Sequence, residues 1–121
     1  MQTRGVTSFC GNPRLRHLTV DEIRECLAPV FRRHGILKAI VFGSVARGEP
    51  SPYSDVDLIL VQQTEKRFFD RYEELHYQLS EAFPFAAIEA LIFTPQEMEH
   101  MQERRFIAAA LKEGRVIYES Q

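Results

Sequence analysis

Two apolar runs, ILKAIVFG at residues 36–43 and DVDLILV at residues 55–61, constrain this chain more than any other feature. The first is short, rich in branched side chains and stopped by Gly43, which marks a buried strand rather than a helix. In the second, Asp55, Asp57, Ile59 and Val61 fall on one face and Val56, Leu58 and Leu60 on the other, the period of a strand. The surrounding sequence supplies helices to cover such a sheet. Thr19 and Glu22 make a capping box, and Val20, Ile23, Leu27, Val30 and Phe31 recur at helical spacing until Gly35. This predicts a first helix of about four turns, bent at Pro29.

From Lys66 to Phe83 the residues Phe68, Tyr72, Leu75, Leu79 and Phe83 form one stripe, a second helix that stops before Pro84. AAIEALIF, residues 86–93, reads as a third strand. Thr94, Pro95 and Glu97 then provide an N-cap, a first-turn proline and a capping-box glutamate for a helix running to about Leu111 and ending at Gly114. RVIYE, residues 115–119, reads as a short edge strand. Strands alternating with helices imply an α/β domain, a small mixed sheet with helices packed on it.

With 121 residues the chain is long enough for one core, so residues 19–121 are expected to form a single domain behind a flexible N-terminal arm, residues 1–18, carrying Arg4, Arg14 and Arg16. A large acceptor would have to be presented by another molecule. The formal charge of −2 gives no electrostatic footprint for nucleic acid, and no direct nucleic-acid binding is expected. No stretch is apolar enough for a membrane span or a signal peptide, which points to the cytoplasm. Cys10 and Cys26 have no metal-ligand spacing, and reduced thiols are the simplest expectation.

The chemistry concentrates between residues 43 and 57. Residues i and i+2 of a strand point the same way, about 6.6 to 6.8 Å apart, so Asp55 and Asp57 can aim at one small site. Two carboxylates that close repel unless a cation lies between them, and hard oxygen ligands suit magnesium or manganese. A strand end with solvated acids is the plainer alternative. Upstream, Gly43 ends a strand and Ser44 opens what reads as one helical turn, whose free N–H groups suit an anion. Arg47 is in reach of a phosphate there, or of Glu49 on the surface. Gly43 and Gly48 have P-loop spacing, but Glu49 and Pro50 stand where a P-loop needs lysine and serine or threonine. An EF-hand fails as well, for want of the following glycine and glutamate.

Gly43-Ser44, ten intervening residues that include ARGE, then Asp55-Val56-Asp57 resembles the signature of the minimal nucleotidyltransferases, small members of the DNA polymerase beta superfamily. The resemblance implies the polymerase beta-like palm fold. It implies that Asp55 and Asp57 bind two metal ions, magnesium with manganese as an alternative, that Gly43 and Ser44 hold the triphosphate of ATP, and that a third carboxylate completes the site. Glu89 occupies that third place, where the family more usually has aspartate. An isolated acid in an apolar strand is costly without a partner, which places Glu89 at the same cation cluster.

The reaction so implied is transfer of a nucleoside monophosphate, AMP by the resemblance, to a hydroxyl on a partner protein. Small MntA-like relatives are antitoxins whose partner is an all-helical HEPN ribonuclease. Larger relatives with an added helical domain modify aminoglycosides, and a degenerate antitoxin acting by contact alone is the competing class. Arg71 and His76 match the ribonuclease's arginine-x4-histidine spacing, but five residues turn a helix through about 500° and leave these side chains well apart. His17, His34, His76 and His100 show no paired metal-ligand spacing.

Overall fold

The computed structural model describes residues 19–48 and 55–120. Four strands form one mixed sheet: β1 (Ile36–Phe42), β2 (Val56–Gln62), β3 (Ile88–Phe93) and β4 (Arg115–Glu119), in the order β3-β2-β1-β4. β1 pairs antiparallel with both β2 and β4, while β2 and β3 run parallel. A parallel pair needs a crossover, and α2 (Phe68–Ala82) provides it. The N-terminal helix α1 (Val20–Arg33) opens on the expected Thr19–Glu22 capping box and continues through Pro29.

Alternation along the strands sends side chains to two cores. Ala39, Val41, Val56, Leu58, Leu60, Ile88 and Ile92 pack on one face beneath α1 and α2, whose Ile23, Leu27, Phe31, Leu75 and Leu79 are at most 1% exposed. Each such buried side chain contributes about 1.5 to 3 kcal/mol relative to exposure. Ile40, Ile59 and Phe93 pack on the other face with Ile107 and Ala110. That smaller cluster lies at the same face as Asp57.

The helix expected from Thr94 to Leu111 is instead two, α3 (Pro95–Met101) and α4 (Arg105–Glu113). Gln102 caps the first, and Arg104 (φ −72°, ψ 140°) is extended, so the chain turns before Arg105. No glycine or proline marks the break. Burial of Ile107 and Ala110 against Ile40 and Ile59 sets it, a tertiary demand that overrides local helix propensity. Gly114 follows α4 where an added Cβ would stand 2.7 Å from both the Ala110 carbonyl and Ile40 Cγ2, so only glycine lets β4 start this close to β1. Cys26 is buried on α1, 6% exposed. The arm expected over residues 1–18, with Cys10, lies outside the described residues. No helix among the described residues is long and apolar enough to cross a membrane.

One polar tie joins α2, β3 and α3. The Arg71 guanidinium, 6% exposed, donates to Glu97 through Nη1 (2.6 Å) and Nη2 (3.0 Å), to the Ile92 carbonyl (2.9 Å) and, through Nε, to the Lys66 carbonyl (2.8 Å). Glu97 also accepts from the Thr94 backbone N–H in the capping box. The Arg71 bonds, then the Thr94 bond, hold the Glu97 carboxyl down to about 2. Its folded pKa lies below the ordinary glutamate value of about 4.3, so the pair contributes fully above that pH and is lost as pH falls toward 2. Because the Glu97 side chain is 42% exposed, water screens the pair. Glu97→Gln should therefore cost about 1 to 2 kcal/mol at pH 7 in urea unfolding, less than the 3 to 5 of a fully buried pair, and flatten the stability profile between about pH 4 and 2. Equal urea midpoints for wild type and variant at pH 7 would show that the tie only breaks even.

Candidate active site

The site lies where β1 ends and where the parallel strands β2 and β3 begin. Phe42 stands opposite Asp57 in the β1–β2 register, and Glu89 stands opposite Asp57 in the β2–β3 register. All three belong to the face of the sheet that carries Ile40 and Ile59. Neighbouring strands are about 4.8 Å apart, so Asp57 and Glu89 are held side by side by backbone pairing alone. Asp55 precedes the strand and is exposed. Burial pushes the Asp57 carboxyl above the ordinary range, and the charges of Glu89 and then Asp55 add to the push.

Glu89 itself is exposed, so the desolvation argument drawn from its apolar strand does not hold. Its place at the site rests on register with Asp57 and on its field there. That field also reaches Tyr72, whose hydroxyl is raised first by burial and then by Glu89. Tyr72 donates its proton to the Ile88 carbonyl (2.6 Å), so His76 Nδ1, 2.8 Å from the same oxygen, must be the donor in that second bond. With Arg71 bound to Glu97 and His76 to Tyr72, the arginine-x4-histidine match is accounted for by packing on α2.

Gly43 leaves β1 at φ +81°, a conformation that favours glycine, and its backbone lies against the Asp57 carboxylate. An added Cβ would stand 2.5 Å from Asp57 Oδ2. The next residues form a tight turn, with Arg47 N–H donating to the Gly43 carbonyl and Gly48 N–H to the Val45 carbonyl, both at 3.1 Å. Val45 and Ala46, 3% and 6% exposed, anchor this turn in the larger core. Ser44 sits at its start. Arg47 Nη1 donates to Glu113 Oε1 on α4 at 2.9 Å, with both side chains near half exposed. Glu49, the partner considered from the sequence, lies outside the described residues.

The donor set fits a hard divalent cation in kind: carboxylate oxygens whose mutual repulsion a cation would relieve. Among the described residues, however, no three His, Cys, Asp or Glu side chains are gathered closely enough to hold a metal ion. Asp57 and Glu89 line a cleft of about 410 Å³ together with Phe42, Ala90, Leu91 and Phe106. Phe42 and Phe106 meet edge to face, with centroids 5.9 Å apart and planes at 83°. The sequence does not single out either ring. Phe42 is legible only through its register with Asp57, and Phe106 only once α4 is known to turn back over the sheet.

The model of the polymerase beta nucleotidyltransferase family matches residues 25–121. A protein of Methanocaldococcus jannaschii, described as a candidate protein adenylyltransferase, is 36% identical over 64 residues, which cover 53% of this chain and 68% of that protein. A solved candidate minimal nucleotidyltransferase superposes with TM-score 0.60 at 26% identity, over 82% of this chain and 96% of that one. A chain of a toxin–antitoxin complex with AMP-PNP has the same fold, with TM-score 0.58 at 15% identity over 81% of this chain and 74% of that one. With the family model matching residues 25–121, most of its length, the chain belongs to the polymerase beta nucleotidyltransferase family.

Proposed function

We propose that this chain transfers a nucleoside monophosphate, AMP from ATP, to a hydroxyl of a partner protein, and that the partner is a HEPN-type toxin which the transfer silences. The observation that carries the reading is the register of Asp57 with Glu89, flanked by Asp55 and by the Gly43 turn at one sheet end. Protein acceptance is supported by the adenylyltransferase relative, and the toxin partner by the toxin–antitoxin complex of the same fold.

In this reading Gly43 and Ser44 hold the triphosphate through backbone N–H groups and the Ser44 hydroxyl, and the turn's buried Val45 and Ala46 keep those groups fixed. Arg47 reaches the phosphates by exchanging its exposed bond to Glu113, a swap that costs little in water. The acceptor oxygen attacks the α-phosphorus, the bond to the bridging oxygen of the β-phosphate breaks, and pyrophosphate leaves with that electron pair. Glu89 takes up the acceptor proton. Asp55, Asp57 and Glu89 are the ligands in this reading for two divalent cations, magnesium or manganese, which when bound supply charge neutralisation and acidify the acceptor hydroxyl. Positioning and electrostatics carry most of such a phosphoryl-type transfer.

A second reading, an antitoxin that neutralises its partner by contact alone, is favoured by one observation: no three potential ligands among the described residues are gathered for a metal. A small-molecule, aminoglycoside-type transferase is a weaker variant of the first reading. The two main readings separate experimentally. With ATP labelled at the α-phosphate, magnesium and a lysate containing the partner, one protein band should become labelled, and Asp55→Asn or Asp57→Asn should reduce labelling by about a hundredfold or more. No label on a partner that is demonstrably bound, or undiminished label in both variants, would overturn the transferase reading.

Glu89→Gln should cut transfer about 10- to 100-fold if it ligates or takes the proton, and a change below twofold would remove it from the site. Asp57→Asn should leave the metal-free protein at least as stable as wild type wherever the Asp57 carboxylate is ionised. The raised folded pKa means that the ionised carboxylate costs stability, which is lost as pH climbs through that pKa. A thermal midpoint several degrees lower in the variant would contradict the like-charge account.

A further inference from the structure

The carboxylate end of the cleft is assigned by the transferase reading, but the cleft extends past it. Beyond Asp57 and Glu89, its described lining is Phe42, Ala90, Leu91 and Phe106, all apolar. Phe106 is 61% exposed, in the first turn of α4, which packs over the sheet face that carries Asp57. Its ring meets Phe42 edge to face, so the pair makes an L-shaped wall with one ring face turned to the other's edge. Phe42 is the register partner of Asp57, about 4.5 to 5.5 Å away between Cα atoms. A planar group against this wall would be joined by a sugar-length connection to a phosphate held at Asp57.

Resting on the transferase reading, we infer that Phe42 and Phe106 are the wall on which the nucleobase of the donor nucleotide stacks, and that base choice is set by stacking area rather than by hydrogen bonds. Every base has a π-face, and aromatic stacking is tolerant of base identity. Discrimination by a factor of 10⁴ or more needs polar groups that are left unpaired by the wrong ligand. Among the described lining residues the only polar side chains are Asp57 and Glu89, which belong to the phosphate and acceptor end. Adenine and guanine nucleotides should therefore bind alike, and pyrimidine nucleotides more weakly because their rings cover less of the wall.

The test is calorimetric binding of ATP, GTP, CTP and inorganic tripolyphosphate, each with magnesium, to the full chain and to Phe106→Ala and Phe106→Leu. Exposure of Phe106 makes either variant compatible with the fold, and unchanged tripolyphosphate affinity verifies an intact phosphate end. The expected result is ATP and GTP affinities within about fivefold of one another in the wild type. Both should weaken about tenfold in Phe106→Ala, with partial recovery in Phe106→Leu and no change for tripolyphosphate. Unchanged ATP affinity in Phe106→Ala, or a preference for ATP over GTP beyond a hundredfold, would overturn the inference while leaving the transferase reading standing. Failure of the wild type to bind any of the four compounds would overturn that reading and this inference together.

Discussion

Asp57 and Glu89 repel one another from adjacent strands, with Asp55 adding to the field, and the surroundings hold them in place against that repulsion. Side chains on flexible loops would relax apart. Here the parallel β2–β3 ladder fixes the spacing of the two carboxylates, and Leu58, Leu60, Ile88 and Ile92 lock the ladder beneath α1 and α2. Gly43 closes the third side, its bare α-carbon lying where any Cβ would displace the Asp57 carboxylate. Such an arrangement stores unfavourable charge at one end of a stable sheet, a repulsion that a bound cation would relieve.

Stability and function draw on opposite polar arrangements. Arg71 and Glu97 are a bidentate pair, with the Ile92 and Lys66 carbonyls taking two further guanidinium donors, and they tie α2, β3 and α3 together. The carboxylates at the other end of β3 are deliberately left as like charges. β3 thus joins both: its end at Ile92 and Phe93 is anchored by the ion pair and the smaller core, and its start presents Glu89 to the cleft while Ile88 is buried on the other face, its carbonyl accepting from the Tyr72 hydroxyl. Membership of the polymerase beta nucleotidyltransferase family agrees with that division.

The strand period puts Asp55 and Asp57 on one face of a strand from the sequence alone, because i and i+2 positions need no tertiary information, whereas Glu89 came from the family resemblance and its register with Asp57 only from the sheet. Gly43 was legible for a similar reason, as the residue that ends an apolar run. The capping boxes at Thr19 and Thr94 likewise depend only on residues three apart. Long-range partners were not legible. Glu113 meets Arg47 across 66 residues, Glu97 meets Arg71 across 26, and nothing local predicts either. The break at Gln102–Arg104 carries no glycine or proline and follows from what Ile107 must reach, so Phe106 and the cleft it walls became visible only in three dimensions.

The central claim is that the carboxylate cluster seats a divalent cation together with a triphosphate. Water-proton relaxation during titration of the protein with Mn²⁺, with and without ATP, measures this directly, with Asp57→Asn alongside. The account predicts bound Mn²⁺ whose affinity rises when ATP is present and which is lost in the variant. Mn²⁺ and ATP binding that survives Asp57→Asn undiminished would contradict it.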